Sequence, residues 1–150
     1  MVYHSNSPSD TDFAAKEFAK ILRPGDVVSL NGDLGAGKTA FVQALAKELG
    51  VDDYLSSPTF TIVNCYEGKN MPFYHFDVYR IQDIDEMYEI GYEEYIYGDG
   101  VTVIEWAELI AEILPEDRYD ITIEKDYDKG ENYRKITIEG KGELNENISC

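Results

Sequence analysis

The run Gly32-Asp33-Leu34-Gly35-Ala36-Gly37-Lys38-Thr39 fits GxxxxGK[ST], the spacing of a loop that wraps phosphate groups. Each residue type has a separate task in that chemistry. Glycines let the backbone turn sharply and bring its N–H groups close to anionic oxygens. A helix that begins at Lys38 points its free N–H groups and the positive end of its dipole at the same anion. The lysine ammonium reaches the β- and γ-phosphates, and the Thr39 hydroxyl is placed to ligate Mg²⁺. Ala40 closes the segment assigned to nucleotide contact.

Phosphate chemistry of this kind also needs an acid beside the metal and a group that positions the attacking water. Two segments offer one. Val101-Thr102-Val103-Ile104-Glu105-Trp106 reads as an apolar strand ending in an acid, with Glu105 at its tip. Asp77, in His75-Phe76-Asp77-Val78-Tyr79-Arg80, is the other candidate. Which of the two meets the metal is left open, as is a plain strand-end or turn role for either. Ser56-Ser57-Pro58-Thr59-Phe60-Thr61 lies about twenty residues past the glycine loop, where switch loops place a hydroxyl near metal and γ-phosphate. Thr59 is the candidate there. Trp106 is read as packing beside the nucleotide, in a partner contact or in the core. His75, with no second His or Cys nearby in sequence, reads as a satisfied structural histidine rather than a metal ligand.

Elements must carry these groups. Apolar residues from Asp12 to Leu22 recur at helical spacing, and Pro24-Gly25 ends that segment. Asp26–Asn31 reads as a buried strand, and Lys38–Leu49 as a helix stopped by Gly50. Thr59–Tyr66 and Pro72–Tyr79 flank Glu67-Gly68-Lys69-Asn70 as a hairpin. The acidic, tyrosine-rich stretch Ile81–Tyr97 has helical spacing. Val101–Glu105 is a second buried strand, and Ala107–Leu114 a short helix stopped by Pro115. Tyr119–Lys125 and Tyr133–Glu139 alternate around Asp126–Asn132 as a second hairpin. The expectation is an α/β fold, a three-layer mixed sheet with added antiparallel hairpins. One domain spans 1–150, with residues 1–9 a loose arm and 140–150 flexible.

Composition narrows the function. At 150 residues, the chain has 30 acidic against 13 basic residues and a formal net charge of −17. Nucleic-acid affinity comes mainly from Lys and Arg neutralising phosphates, so direct DNA or RNA binding is disfavoured, as is an anionic membrane surface. A hydrophobic content of 43% with twelve tyrosines argues against a disordered chain. Cys65 and Cys150 make no metal spacing and no disulfide framework, so reduced thiols in the cytoplasm are expected. Met1–Asp10 has no apolar core of a signal peptide, and no apolar run is long enough to span a membrane.

Small phosphate-loop proteins include kinases, GTPases and ATPases that work inside assemblies. Kinases for phosphorylated acceptors use several arginines. This chain has four, Arg23, Arg80, Arg118 and Arg134, of which only Arg80 lies near a candidate segment in sequence. A guanine-specifying NKxD is absent, which favours ATP.

Four blocks together are more specific. Leu30–Phe41 (LNGDLGAGKTAF), Ser57–Val63 (SPTFTIV), Tyr74–Arg80 (YHFDVYR) and Ile104-Glu105-Trp106 resemble, in order and spacing, the signature of the TsaE (YjeE) family of small bacterial phosphate-loop ATPases. The resemblance covers about residues 10 to 125. It implies Mg²⁺-dependent binding and hydrolysis of ATP to ADP, weak alone and stimulated by TsaB- and TsaD-type partners. The assembly makes N6-threonylcarbamoyladenosine at position 37 of tRNA, with tRNA met only through the complex. Carried over, Gly32 to Thr39 hold the phosphates, Thr39 meets Mg²⁺, and Glu105 with Trp106 complete the ATPase site. Asp77 and the Ser57–Thr61 loop follow with less support. Ala40 departs from the second Thr common in the family. Alternatives from other classes are a small-molecule or nucleoside kinase and a nucleotide-gated binding module whose hydrolysis is incidental.

Overall fold

The computed structural model describes residues 1–32, 36–52 and 62–140. Seven strands form one mixed sheet: β1 Val2–Ser5, β2 Val27–Gly32, β3 Val63–Glu67, β4 Pro72–Asp77, β5 Val101–Glu105, β6 Tyr119–Lys125 and β7 Arg134–Gly140. Their spatial order is β1-β7-β6-β2-β5-β4-β3. The centre is parallel: β2 lies between β5 and β6, and β4 runs beside β5. Both flanks are antiparallel, β3–β4 on one side and β6–β7–β1 on the other. A parallel centre with antiparallel hairpins at its edges is the expected architecture.

Parallel strands are covered on both faces, so they read as nearly unbroken apolar runs. All five residues of β5 are buried. On one face, Val28, Leu30, Val103, Ile121 and Ile136 pack under α1 (Pro8–Ala19) and α2 (Lys38–Glu48). Phe18 anchors this layer, with Tyr119 edge-on at 5.2 Å and Phe41 at 6.5 Å. On the other face, Val27, Phe76 and Ile104 meet Met87 of α3 (Asp85–Glu89), Tyr92 and Ile96 of α4 (Tyr92–Ile96), and Ile110 of a 3-10 helix, Ala107–Ile113. These are the three layers.

Local chemistry sets the helix ends. Ser7 Oγ accepts from the Asp10 N–H, and Pro8 opens α1 where its missing donor costs nothing. Gly37 precedes α2 at φ +101°, a conformation that favours glycine. Gly91, at φ +77°, splits the tyrosine-rich stretch, which is therefore two five-residue helices.

One expectation is corrected. The segment 1–9 is not a loose arm: Val2–Ser5 pairs with β7, the Met1 ammonium donates to Ile138 O at 3.0 Å, and Ile138 N–H returns to Met1 O at 2.8 Å. His4 Nδ1 also meets the Tyr133 hydroxyl at 2.6 Å. A four-residue edge strand buries only Ser5 fully, so its pattern carries no periodic signal. Of the end expected to be flexible, 140–150, Gly140 closes β7 and residues 141–150 lie outside the described residues. Among the described residues no helix is long and apolar enough to cross a membrane.

Candidate functional site

Parallel strands deliver their chemistry at their C-terminal ends, and ligands of open α/β sheets bind there. Three such ends are adjacent here. Gly32 closes β2, Glu105 closes β5 and Asp77 closes β4. Glu105 is in register with Leu30 on one side and Asp77 on the other. The two candidate acids, 28 positions apart in sequence, therefore stand side by side at the sheet edge where the glycine loop begins.

Gly32 makes a close passage. A Cβ there would fall 2.6 Å from the Ile123 carbonyl oxygen, so only glycine lets β2 leave the sheet beside β6. Asp33, Leu34 and Gly35 lie outside the described residues. Ala36 is buried and Gly37 caps α2. Lys38 opens the helix with its ammonium turned back toward the sheet. It donates to Gly32 O at 2.7 Å and sits 3.8 Å from the centroid of the Trp106 ring. Lys38 is only 6% exposed. Thr39 and Ala40 are exposed on the first turn of α2, beside the same sheet edge. Thr59 and the whole Ser57–Thr61 loop lie outside the described residues.

Trp106 is the one non-glycine residue with a positive φ, +63°, among those described. That conformation costs about 1–2 kcal/mol for an L-residue. It turns the chain sharply after Glu105, and the indole comes to rest between the Lys38 ammonium and the Tyr79 ring, the latter at 4.8 Å between centroids. Cation–π contacts of this kind contribute about 0.5–2 kcal/mol. Trp106 also packs against the core cluster of Phe76, Ile104 and Ile110, so it combines a core contact with the Lys38 contact.

The acids differ in environment. Asp77 is partly buried, and its carboxyl is pushed above the usual aspartate range, chiefly by burial. The Glu105 charge adds to this, while the Tyr79 N–H on Asp77 Oδ1 at 3.0 Å, together with His75 and Lys38, opposes it. Glu105 is 3% exposed, and its Oε2 lies 2.5 Å from Nε2 of the fully buried His75. His75 Nδ1, in contrast, is buried without a hydrogen-bond partner among the described residues, a cost of about 1–3 kcal/mol. The expectation of a satisfied structural histidine is thus corrected: His75 touches a candidate acid and is satisfied on one side only.

Sequence reasoning also missed Arg134. From β7, its Nε donates to Ala36 O at 2.9 Å, and its Nη1 holds the carbonyls of Glu131 and Tyr133. The guanidinium therefore ties the last hairpin to the glycine loop across 98 positions. Arg134 also lines a cavity of about 420 Å³ that opens beside the loop. Pro8 and Thr11 of α1, Ala40 and Gln43 of α2, and Ile123 and Asn132 of the hairpin form its walls. Size and a mostly apolar lining with a few polar groups suit a planar organic ring. Removing the clip predicts a measurable loss. Arg134→Ala should weaken nucleotide binding about tenfold by calorimetry, as expected for a charged hydrogen bond of about 1.5 kcal/mol or more. A change under twofold would show that the clip does not shape the loop.

Comparisons with known proteins place the chain in a family. A family model described as "Threonylcarbamoyl adenosine biosynthesis protein TsaE" matches residues 5–136. The chain is 44% identical over 136 residues to the tRNA threonylcarbamoyladenosine biosynthesis protein TsaE of Bacillus subtilis, covering 91% of this chain and 83% of that protein. It is also 44% identical over 119 residues to the protein of the same name from Treponema pallidum, covering 79% and 86%. The crystal structure of Bacillus subtilis YdiB superposes with a TM-score of 0.78 at 38% identity, covering 99% of this chain and 90% of that one.

Proposed function

Because this chain belongs to the TsaE family, we propose that it is the ATP-binding and ATP-hydrolysing subunit of a tRNA threonylcarbamoyladenosine system. It works with TsaB- and TsaD-type proteins and drives turnover of their complex. One observation carries the ATPase reading: Lys38, Glu105, Asp77 and Trp106 meet at the C-terminal edge of β2, β5 and β4, at the mouth of the glycine loop. The acidic surface supports an indirect relation to tRNA, reached through the partners.

Each residue has a task in this reading. The backbone from Gly32 to Thr39, with Asp33, Leu34, Gly35, Ala36 and Gly37 between, wraps the phosphates, and Ala40 borders the nucleotide. The N-terminus of α2 attracts the negative charge. Lys38 leaves the Gly32 carbonyl for the β- and γ-phosphates. The cavity beside Arg134 accepts the base. Glu105 holds and orients the water that attacks the γ-phosphorus, whose bond to the ADP oxygen breaks. Trp106 walls the site against solvent.

The donors present fit Mg²⁺. Asp77 supplies a carboxylate oxygen and Thr39 a hydroxyl, the hard ligands this ion prefers, with Glu105 in register beside Asp77 and turned to the water. Burial raises Asp77, and a cation beside it would relieve that cost. Thr59 is assigned to the same set on its position in sequence. When bound, the ion neutralises charge on the phosphate oxygens.

The test is a reconstituted modification reaction. It holds tRNA, ATP, threonylcarbamoyl-adenylate and the two partners, with this chain present, absent or as Lys38→Ala. Nucleoside mass spectrometry should show multiple turnovers only with the unaltered chain. Equal product in all three arms would overturn the proposal.

A further inference from the structure

We propose that His75 is a positioning residue for Glu105: it fixes one carboxylate oxygen at the strand end and so aims the other at the reacting water. This inference rests on the ATPase reading and deepens it. The motif around Asp77 directed attention to that acid, but the tightest polar contact at the sheet edge is one row behind it. His75 pairs with Val103 on the neighbouring strand, two residues before Glu105, so its ring lies beneath the Glu105 side chain. The Nε2–H donates to Oε2 at 2.5 Å, with the imidazole fully buried and the glutamate 3% exposed. Glutamate has three rotatable side-chain bonds, and a carboxylate free to rotate would spend most of its time misdirected. One short bond to a ring held by packing removes that freedom.

The orphaned Nδ1 separates this role from plain stability. A histidine placed only to fill the core would be satisfied at both nitrogens or replaced by an apolar residue of similar volume. Here the buried Nδ1 has no partner among the described residues, and the polar contact of the ring is the one Nε2 makes with Glu105. Hydrogen bonds that orient a functional carboxylate typically change activity about 10–100-fold when lost.

The pair His75→Gln and His75→Asn tests this in the full chain with its partner proteins present. Glutamine carries its amide N–H far enough to reach Oε2, whereas asparagine is one carbon too short. The Asn variant should lose about 10–100-fold in kcat, with the Kd for a non-hydrolysable ATP analogue within threefold of the unaltered chain. The Gln variant should recover to within about fivefold. In a Glu105→Gln background, His75→Asn should lower the single-turnover rate by less than twofold, because its only path to the chemistry is gone. Equal losses in Gln and Asn variants, or an undiminished loss on top of Glu105→Gln, would overturn the inference in favour of a structural role. His75→Leu, which has no N–H to donate, supplies a second variant if Asn folds poorly, with circular dichroism as the control for folding. Hydrolysis that depends on Glu105 but not on His75 defeats this inference alone. No hydrolysis by the unaltered chain defeats the ATPase reading itself.

Discussion

Lys38→Ala is expected to raise the Kd for ATP by about 10²–10³-fold, with little change in thermal stability. The magnitude follows from truncating one partner of a desolvated charge pair, which costs about 2–5 kcal/mol. Lys38 is desolvated before any nucleotide arrives, and the phosphates supply the opposite charge. The residue is 6% exposed, with one carbonyl at 2.7 Å and one indole face as partners of its ammonium. Neither carries a full negative charge, and the Asp77 carboxyl acts on Lys38 only through space, so the ammonium is free to turn to a polyphosphate. Stability should move little, because the variant removes a buried charge along with its modest contacts. Calorimetry with ADP and an ATP analogue measures the first claim, and differential scanning the second. Trp106 supplies an independent signal, as the chain's single tryptophan and the residue under Lys38. Nucleotide should change its fluorescence in the unaltered chain as Lys38 moves off the ring, and should not do so in Lys38→Ala. A Kd within threefold of the unaltered chain would remove Lys38 from phosphate binding.

The same residues show what a sequence discloses about such a site. The glycine run, the lysine after it and the apolar strands before it are adjacent in the chain, so pattern and place coincide. Val101–Glu105 is legible because a strand buried on both faces is apolar at nearly every position. Both hairpins are legible because turn residues punctuate them. Contacts made across the sheet are different. Whether Asp77 stands beside Glu105, or His75 beneath it, depends on the register of β4 against β5, and a shift by one residue would turn both side chains to the opposite face. Arg134 belongs to a hairpin whose pattern reports only alternation, and nothing nearby points to a loop 98 residues earlier. β1 failed for a related reason, since an edge strand of four residues gains its order from the strand it joins. Motifs therefore pointed to the glycine run and its lysine, and only the folded sheet brings His75 against Glu105.

That acid carries the second large effect. Glu105→Gln should lower kcat for ATP hydrolysis by about 10²–10³-fold, the range for removing a group that directs proton transfer in a transition state. Nucleotide affinity should be equal or tighter, and the sign is physical. Glu105 stands in register with Asp77, and its charge helps hold the Asp77 carboxyl above the usual range, after burial itself. Removing one of two adjacent negative charges lets Asp77 ionise more readily and lessens repulsion toward the phosphates. Glutamine keeps the volume, and its amide oxygen still accepts from His75 Nε2, so the strand end and its neighbours should fold as before. The variant thus separates binding from turnover, where Lys38→Ala joins them. Steady-state kinetics with calorimetry on the same preparation checks both halves. Turnover within threefold of the unaltered chain would remove Glu105 from the chemistry and pass the role to Asp77. A matching fall in affinity would instead mean that Glu105 helps bind the nucleotide and does not act on the water.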